Sequence, residues 1–273
     1  LEVDHIRKVE ADVKEEGSLV LKPFLLLEYI KLLDEEYIEF ILNNGFITVH
    51  HAEFSILEEG TFPIITETTP IKLLSINGGE FVKLLEKSKF AASLTSDNIQ
   101  INCVRAIFKL NEINLVSTDS YRLLYLKNEK NCHVEKEISI PMDTINVICK
   151  LLKDSEKEVI IGFSGENIIL TWENAYFSSK TIALPFPDFK GILANSSFSK
   201  VMEFNRDELK SALKRVITVA KTSVDAKFGA IFDFKGKTLL INAFSGKAKI
   251  NQKVNMIKEG EDLKSSLNCK FLA

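Results

Sequence analysis

A long-period repeat constrains this chain more than any single motif. Ile30-Lys31-Leu32-Leu33 returns as Cys149-Lys150-Leu151-Leu152, 119 residues on, and Phe62-Pro63 returns as Phe186-Pro187 after 124. The order of elements between these anchors returns as well. Residues 19–33 read as a strand running into a helix with Leu26, Ile30 and Leu33 on one face. Strand-like 37–42, a turn at Asn43-Asn44-Gly45, 46–49 and 52–57 follow. From Ile138 the plan repeats: 138–140, then a helix after Pro141 carrying Ile145, Ile148, Cys149 and Leu152, then 159–163, a turn at 164–167, 168–172 and 175–180.

A second unit alternates with the first. Residues 79–91 form a helix with Phe81, Leu84 and Leu85 inward and Lys83 and Lys87 outward, followed by strand-like 98–103, 106–110 and 113–117. Its counterpart starts at Asn205-Arg206-Asp207-Glu208, a helix start with acids in the first turn, and stripes Leu209, Leu213, Val216 and Ala220. Strands 228–234 and 238–244 flank a Lys235-Gly236-Lys237 turn. The fold class is therefore α+β, with repeated domains that set helices on one face of antiparallel sheets. The expected division is 1–69 as the second half of one domain, 70–196 as a complete domain, and 197–273 as the first part of a third, a piece of a longer three-domain chain.

Composition narrows the function. A net charge of −3 and 45% hydrophobic residues describe an ordered globular chain with no overall cationic surface, although a local basic lining remains compatible with it. No apolar run reaches the roughly 18 residues of a membrane span. Cys103, Cys132, Cys149 and Cys269 lack paired spacing, which favours a reduced, cytoplasmic setting without metal. His50 and His51 lack a third ligand at helical spacing. There is no Gly-rich phosphate loop and no readable nucleophile–base pair, so neither cofactor nor enzymatic activity is expected. Asp119 is the one carboxylate weighed for catalysis, and it has no identifiable partner.

The helix faces are mostly cationic: Lys83, Lys87 and Lys89; Lys150 and Lys153; Arg206, Lys210, Lys214 and Lys221. Such stripes on equivalent helices suit weak, sequence-independent phosphate contact. The stretch Ser117-Thr118-Asp119-Ser120-Tyr121-Arg122-Leu123 reads as a polar turn between two apolar strands, placing Arg122 and Leu123 at an edge.

These residues resemble the bacterial replicative polymerase sliding clamp family. Thr118-Asp119-Ser120-Tyr121-Arg122-Leu123 is similar to the family's Thr-Asp-Gly-His-Arg-Leu, Phe186-Pro187-Asp188-Phe189 to its Phe-Pro-Asp-Tyr/Phe, and Gly17-Ser18-Leu19-Val20-Leu21 with the following helix to part of its first domain. The resemblance runs collinearly along essentially the whole chain. It implies a head-to-tail homodimeric ring with helices inside and sheets outside, encircling double-stranded DNA without sequence preference. It also implies that DNA polymerases and the clamp loader dock through short hydrophobic peptides.

Carried over by position, the peptide pocket comprises Thr118, Ser120, Tyr121, Arg122, Leu123, Phe108, Pro187, Ile192, Phe228, Asn268 and Phe271. Arg105 matches a family loop that contacts DNA, and the helix faces add Lys150, Arg206, Lys210 and Lys214 as DNA-facing residues. Ser120 and Tyr121 replace the family's Gly and His, and Gly191 and Ala194 stand where a basic residue and a proline are frequent. The interval from Arg105 to Thr118 is several residues short of the family's and lacks its Gly turn. The competing reading is a repeat-built interaction scaffold that never touches DNA.

Overall fold

In the computed structural model the described residues are 3–58, 60, 62–63, 65–95, 97–196, 200–223 and 227–273. Contacts divide the chain into two units, Leu1–Phe186 and Pro187–Ala273. The first begins with β1 (Val3–Arg7), β2 (Val20–Leu21), α1 (Pro23–Ile30), β3 (Phe40–Asn43), β4 (Phe46–Val49) and β5 (Ala52–Leu57). Pro23 sits in the first turn of α1, where its missing N–H would have had no helical acceptor. Asn44 and Gly45 take φ of +44° and +82°, so a two-residue left-handed turn closes the β3–β4 hairpin in the sense the strand twist prefers. Leu26, Ile47 and Val49 are buried beneath Leu19, Leu21, Ile30 and Leu33.

Two further runs of strand, helix and three strands complete this unit. One is β6 (Ile71–Asn77), α2 (Gly78–Ser88) with a 3-10 turn at Lys89–Ala91, β7 (Cys103–Lys109), β8 (Glu112–Thr118) and β9 (Leu123–Glu129). The other is β10 (Lys136–Pro141), α3 (Met142–Leu151), β11 (Glu158–Ser164), β12 (Asn167–Trp172) and β13 (Ala175–Lys180). The sheets are β10-β7-β8-β9 and β1-β13-β12-β11-β6, so each run lends its first strand to the other run's sheet. Both helices bury their apolar stripes, Phe81, Leu84 and Leu85 from α2 and Ile145 and Ile148 from α3, in one core shared with both sheets. Leaving the same amount of apolar surface in water would cost about 25 cal/mol per Å², and that burial holds the two runs together.

The second unit holds α4 (Phe189–Asn195), α5 (Arg206–Ala220), β14 (Gly229–Lys235), β15 (Thr238–Ser245), β16 (Ala248–Asn255), β17 (Leu263–Asn268) and the single turn α6 (Cys269–Leu272). Its sheet runs β16-β15-β14-β17, and α5 lays Leu213, Val216 and Ala220 onto Phe232, Leu239 and Ile241. Asn205 starts α5 by accepting from the amides of Asp207 and Glu208 at 3.0 and 3.1 Å.

Some sequence expectations need correction. Residues 98–102 form turns, not a strand: the Ile101 and Asn102 amides both donate to Asn98 O, and β7 begins only at Cys103. The first hairpin strand starts at Phe40 instead of 37. α1 stops at Ile30, and Leu33 reaches the same apolar cluster from the turn beyond it. β1 joins the sheet of β11–β13 although it lies in the segment assigned to the first domain. α4 lies in the second unit, Pro187–Ala273, and residues 197–199 lie outside the described set. Among the described residues no helix is long and apolar enough to cross a membrane.

Candidate functional site

The turn between β8 and β9 is built by its own side chains. Thr118 Oγ1 donates to Arg122 O at 2.7 Å and accepts the Ser120 amide at 3.1 Å. Asp119 Oδ1 accepts the amides of Tyr121 and Arg122 at 3.1 and 3.0 Å, and Oδ2 accepts Arg122 Nε at 2.9 Å. With these donors on its carboxylate, Asp119 serves as the turn's internal brace. The Arg122 guanidinium lies 4.5 Å from the centre of the Phe90 ring, which projects from the turn after α2. Ser117 Oγ donates to Ser88 O at 2.5 Å and so ties the end of α2 to the end of β8. Tyr121 is 83% exposed, and Leu123, half-buried, stands opposite Thr118 at the free end of the edge strand β9. The first five pocket residues thus form one compact cluster.

Phe108 does not join them. Strand alternation on β7 turns Val104, Ala106 and Phe108 into the core, and Phe108, 1% exposed, offers no surface to a partner. Arg105, on the alternate face of β7, lies within a strand instead of a loop. Its guanidinium bonds Glu137 at 2.9 Å and Ser139 Oγ at 3.1 Å. Its charge is therefore matched locally on the sheet face turned away from the helices.

In the second unit, Phe228, Asn268 and Phe271 come together at one end of the sheet. Gly229 and Asn268 are register partners, and the Cys269 amide donates to Phe228 O at 2.9 Å. Asn268 Oδ1 caps α6 by accepting the Lys270 amide at 3.0 Å, and the Lys270 ammonium sits 5.3 Å from the Phe228 ring centre. Phe228 holds φ at +64°, an uncommon conformation for a bulky residue, next to this cluster. Pro187 and Ile192 lie on a separate segment, where Asp188 caps α4 by accepting the Gly191 amide at 3.0 Å. A Cβ at Gly191 would fall 2.4 Å from Asp188 Oδ2, so this cap accounts for glycine at that position. Ile192 is 56% exposed.

The cations divide unevenly. Lys83 and Lys87 on α2, Lys150 on α3 and Lys210 and Lys214 on α5 are exposed and have no ion pair among the described residues. Arg206 stands 3.8 Å from Asp207 with both side chains solvated. Residues 187–273 carry sixteen Lys and Arg against nine Asp and Glu, residues 70–186 carry fourteen of each, and residues 1–69 carry five against fifteen. Phe90 and the brace role of Asp119 escape sequence reading. Nothing in a Lys-Phe-Ala end to a helix signals a ring for a distant arginine to lie on.

Residues 75–188 match the family described as DNA polymerase III beta subunit, central domain. The chain is 26% identical over 270 residues to the beta sliding clamp of Rickettsia bellii, covering 94% of this chain and 69% of that one. It is 22% identical over 271 residues to that of Staphylococcus epidermidis, covering 96% and 71%. The fold is similar to that of the DNA polymerase III subunit beta of Pseudomonas aeruginosa, with a TM-score of 0.89 at 21% identity over 99% of this chain and 76% of that one. It is likewise similar to the beta subunit of Thermotoga maritima, with a TM-score of 0.87 at 20% identity over 99% and 75%. A Pseudomonas aeruginosa sliding clamp bound to griselimycin matches with a TM-score of 0.87 at 21% identity, over 100% of this chain and 75% of that one.

Proposed function

We infer from one premise, that residues 75–188 belong to the DNA polymerase III beta-subunit family and that the chain around them is related to beta sliding clamps, that this protein is a DNA sliding clamp. Two copies associate head to tail in a cytoplasmic ring that encircles duplex DNA, and polymerases and the clamp loader dock on it through short hydrophobic peptides. Residues 1–69, 70–196 and 197–273 are parts of three successive clamp domains. The role requires no catalysis: topology supplies retention, and weak contacts permit movement along the duplex.

One observation carries this reading. α2, α3 and α5 each bury an apolar stripe against a sheet and turn cations outward, and Lys83, Lys87, Lys150, Lys210 and Lys214 have no ion pair among the described residues. Lysines free of local carboxylates remain available to phosphates. We assign DNA contact to Lys150, Arg206, Lys210 and Lys214 and leave Arg105 out because Glu137 holds it. The partner-peptide residues are Thr118, Ser120, Tyr121, Arg122 and Leu123 in the first unit and Pro187, Ile192, Phe228, Asn268 and Phe271 in the second. The griselimycin complex of a related clamp is consistent with a ligand site on this fold.

The test is retention of the full-length protein on circular DNA after loading by the cognate loader, before and after one cut in the circle. Release on cutting is the clamp outcome. Equal retention on both forms would mean direct adhesion and would overturn it, as would failure to load with an active loader. Within the peptide site, Leu123→Ala weakens binding of a Leu- and Phe-bearing peptide by about 1–3 kcal/mol. An unchanged titration would remove Leu123 from the site.

A further inference from the structure

We propose that Phe90 and Asp119 are positioning residues for the partner-peptide turn, acting together through the guanidinium of Arg122. This inference rests on the peptide-site reading above and adds to it a residue outside the turn. Arg122 has a long side chain with several rotatable bonds, and left to itself it would sample many rotamers at a strand edge. Two groups on different elements restrict it. Asp119 Oδ2 takes Nε at 2.9 Å, which fixes the guanidinium at its edge, and the Phe90 ring at 4.5 Å supports its face. Edge and face together define the plane of the group.

The anchor points are themselves held. Asp119 is held by the backbone amides of Tyr121 and Arg122, so the carboxylate that grips the side chain also shapes the loop bearing it. Phe90 follows directly on α2, whose last turn is tied to β8 by the Ser117 bond to Ser88 O. Phe90 is 59% exposed, and the Arg122 guanidinium lies over its ring. In the bound state a partner meets an arginine whose ordering cost has already been met by the fold, and whose charge is balanced by Asp119. The surface beside it therefore suits an uncharged apolar side chain better than an acidic one.

The test uses the whole chain and a labelled hexapeptide bearing Leu and Phe, titrated against the unsubstituted protein, Phe90→Leu, Phe90→Tyr and Asp119→Asn. Each is made with and without Arg122→Gln. Phe90→Leu should weaken the peptide by about two- to fivefold, the worth of one exposed cation–π contact, and Phe90→Tyr should restore it. In the Arg122→Gln background Phe90→Leu should change nothing. Alongside, the Arg122 Nε–H signal should exchange with solvent slowly in the unsubstituted chain and faster in Phe90→Leu and Asp119→Asn, with the melting temperature of Phe90→Leu unchanged. Unaltered exchange and affinity in Phe90→Leu, or an effect of equal size with and without Arg122, would overturn the proposal while leaving the peptide site intact. Failure of the unsubstituted chain to bind would overturn the peptide-site reading, and this inference with it.

Discussion

Ser120 and Phe228 hold φ at +74° and +64°, the left-handed region where a Cβ crowds its own carbonyl. Both are partner-peptide candidates, one in each unit. Ser120 tolerates the conformation because its amide is held by Thr118 Oγ1 and the amides after it by Asp119. Relieving the strain is worth more than the added chain entropy of glycine, so Ser120→Gly should raise stability by up to about 1 kcal/mol in urea unfolding. A loss of stability would show that the serine hydroxyl outweighs the backbone term. Burial also marks the cysteines: it pushes the Cys103 thiol up to about 11 and, with the nearby Glu86 carboxylate adding to it, the Cys149 thiol up to about 12. The folded protein keeps these thiols neutral where the unfolded chain ionises them. Stability is therefore full below pH 9 and falls as pH rises from there toward 11–12. Denaturation midpoints measured from pH 8 upward check this, and Cys149→Ala should flatten part of the decline. At this scale the sequence identifies the turn residues by type but leaves Phe108 and Arg105 open to error. Their roles depend on which face of β7 each occupies, and the shortened interval from Arg105 to Thr118 obscures that parity.

At the scale of elements, reciprocal lending of first strands is the organising device. β6 leaves its own run to pair with β11, and β10 pairs with β7, so neither run has a finished sheet alone. The exchange demands close approach where β6 meets β11, and the register shifts between Ile161 and Gly162. A Cβ at Gly162 would stand 2.7 Å from both Ile71 O and Pro70 Cβ. Gly162→Ala should thus cost about 1–3 kcal/mol by forcing β6 outward, read as a lower urea midpoint with loss of amide protection along β6. An unchanged midpoint would mean that β6 shifts freely. Elements with their own periodicity or turn chemistry are legible in the sequence: 46–49, 52–57 and 175–180 match β4, β5 and β13. The partners of β6 and β10 are not, because long-range pairing leaves no local signal. Residues 98–102 mislead for a related reason: alternating Ile99 and Ile101 look strand-like, while backbone bonds to Asn98 O wind the segment into turns.

For the whole molecule, charge is sorted along the chain instead of mixed. The first 69 residues carry ten more acidic than basic groups, the middle is balanced, and residues 187–273 carry seven more basic than acidic. In the proposed head-to-tail association, attraction between the acidic residues 1–69 of one copy and the basic residues 187–273 of the other would favour that order. Raising salt from about 0.01 M to about 1 M shortens the screening length from about 30 Å to about 3 Å, so the self-association constant measured by sedimentation should fall steeply across that range. A salt-independent constant would leave apolar contact as the sole source of order.

The ladder of β1 on β13 joins Val3 to Ser179 and Arg7 to Ala175. During synthesis at about 5–20 residues per second, β1 must wait roughly 9–35 s for its partner strand to be made. For that interval the edge that β1 gives to β13 is unpaired. Asp4, His5 and Arg7, interleaved with Val3 and Ile6, keep it from being a uniformly apolar template for neighbouring nascent chains.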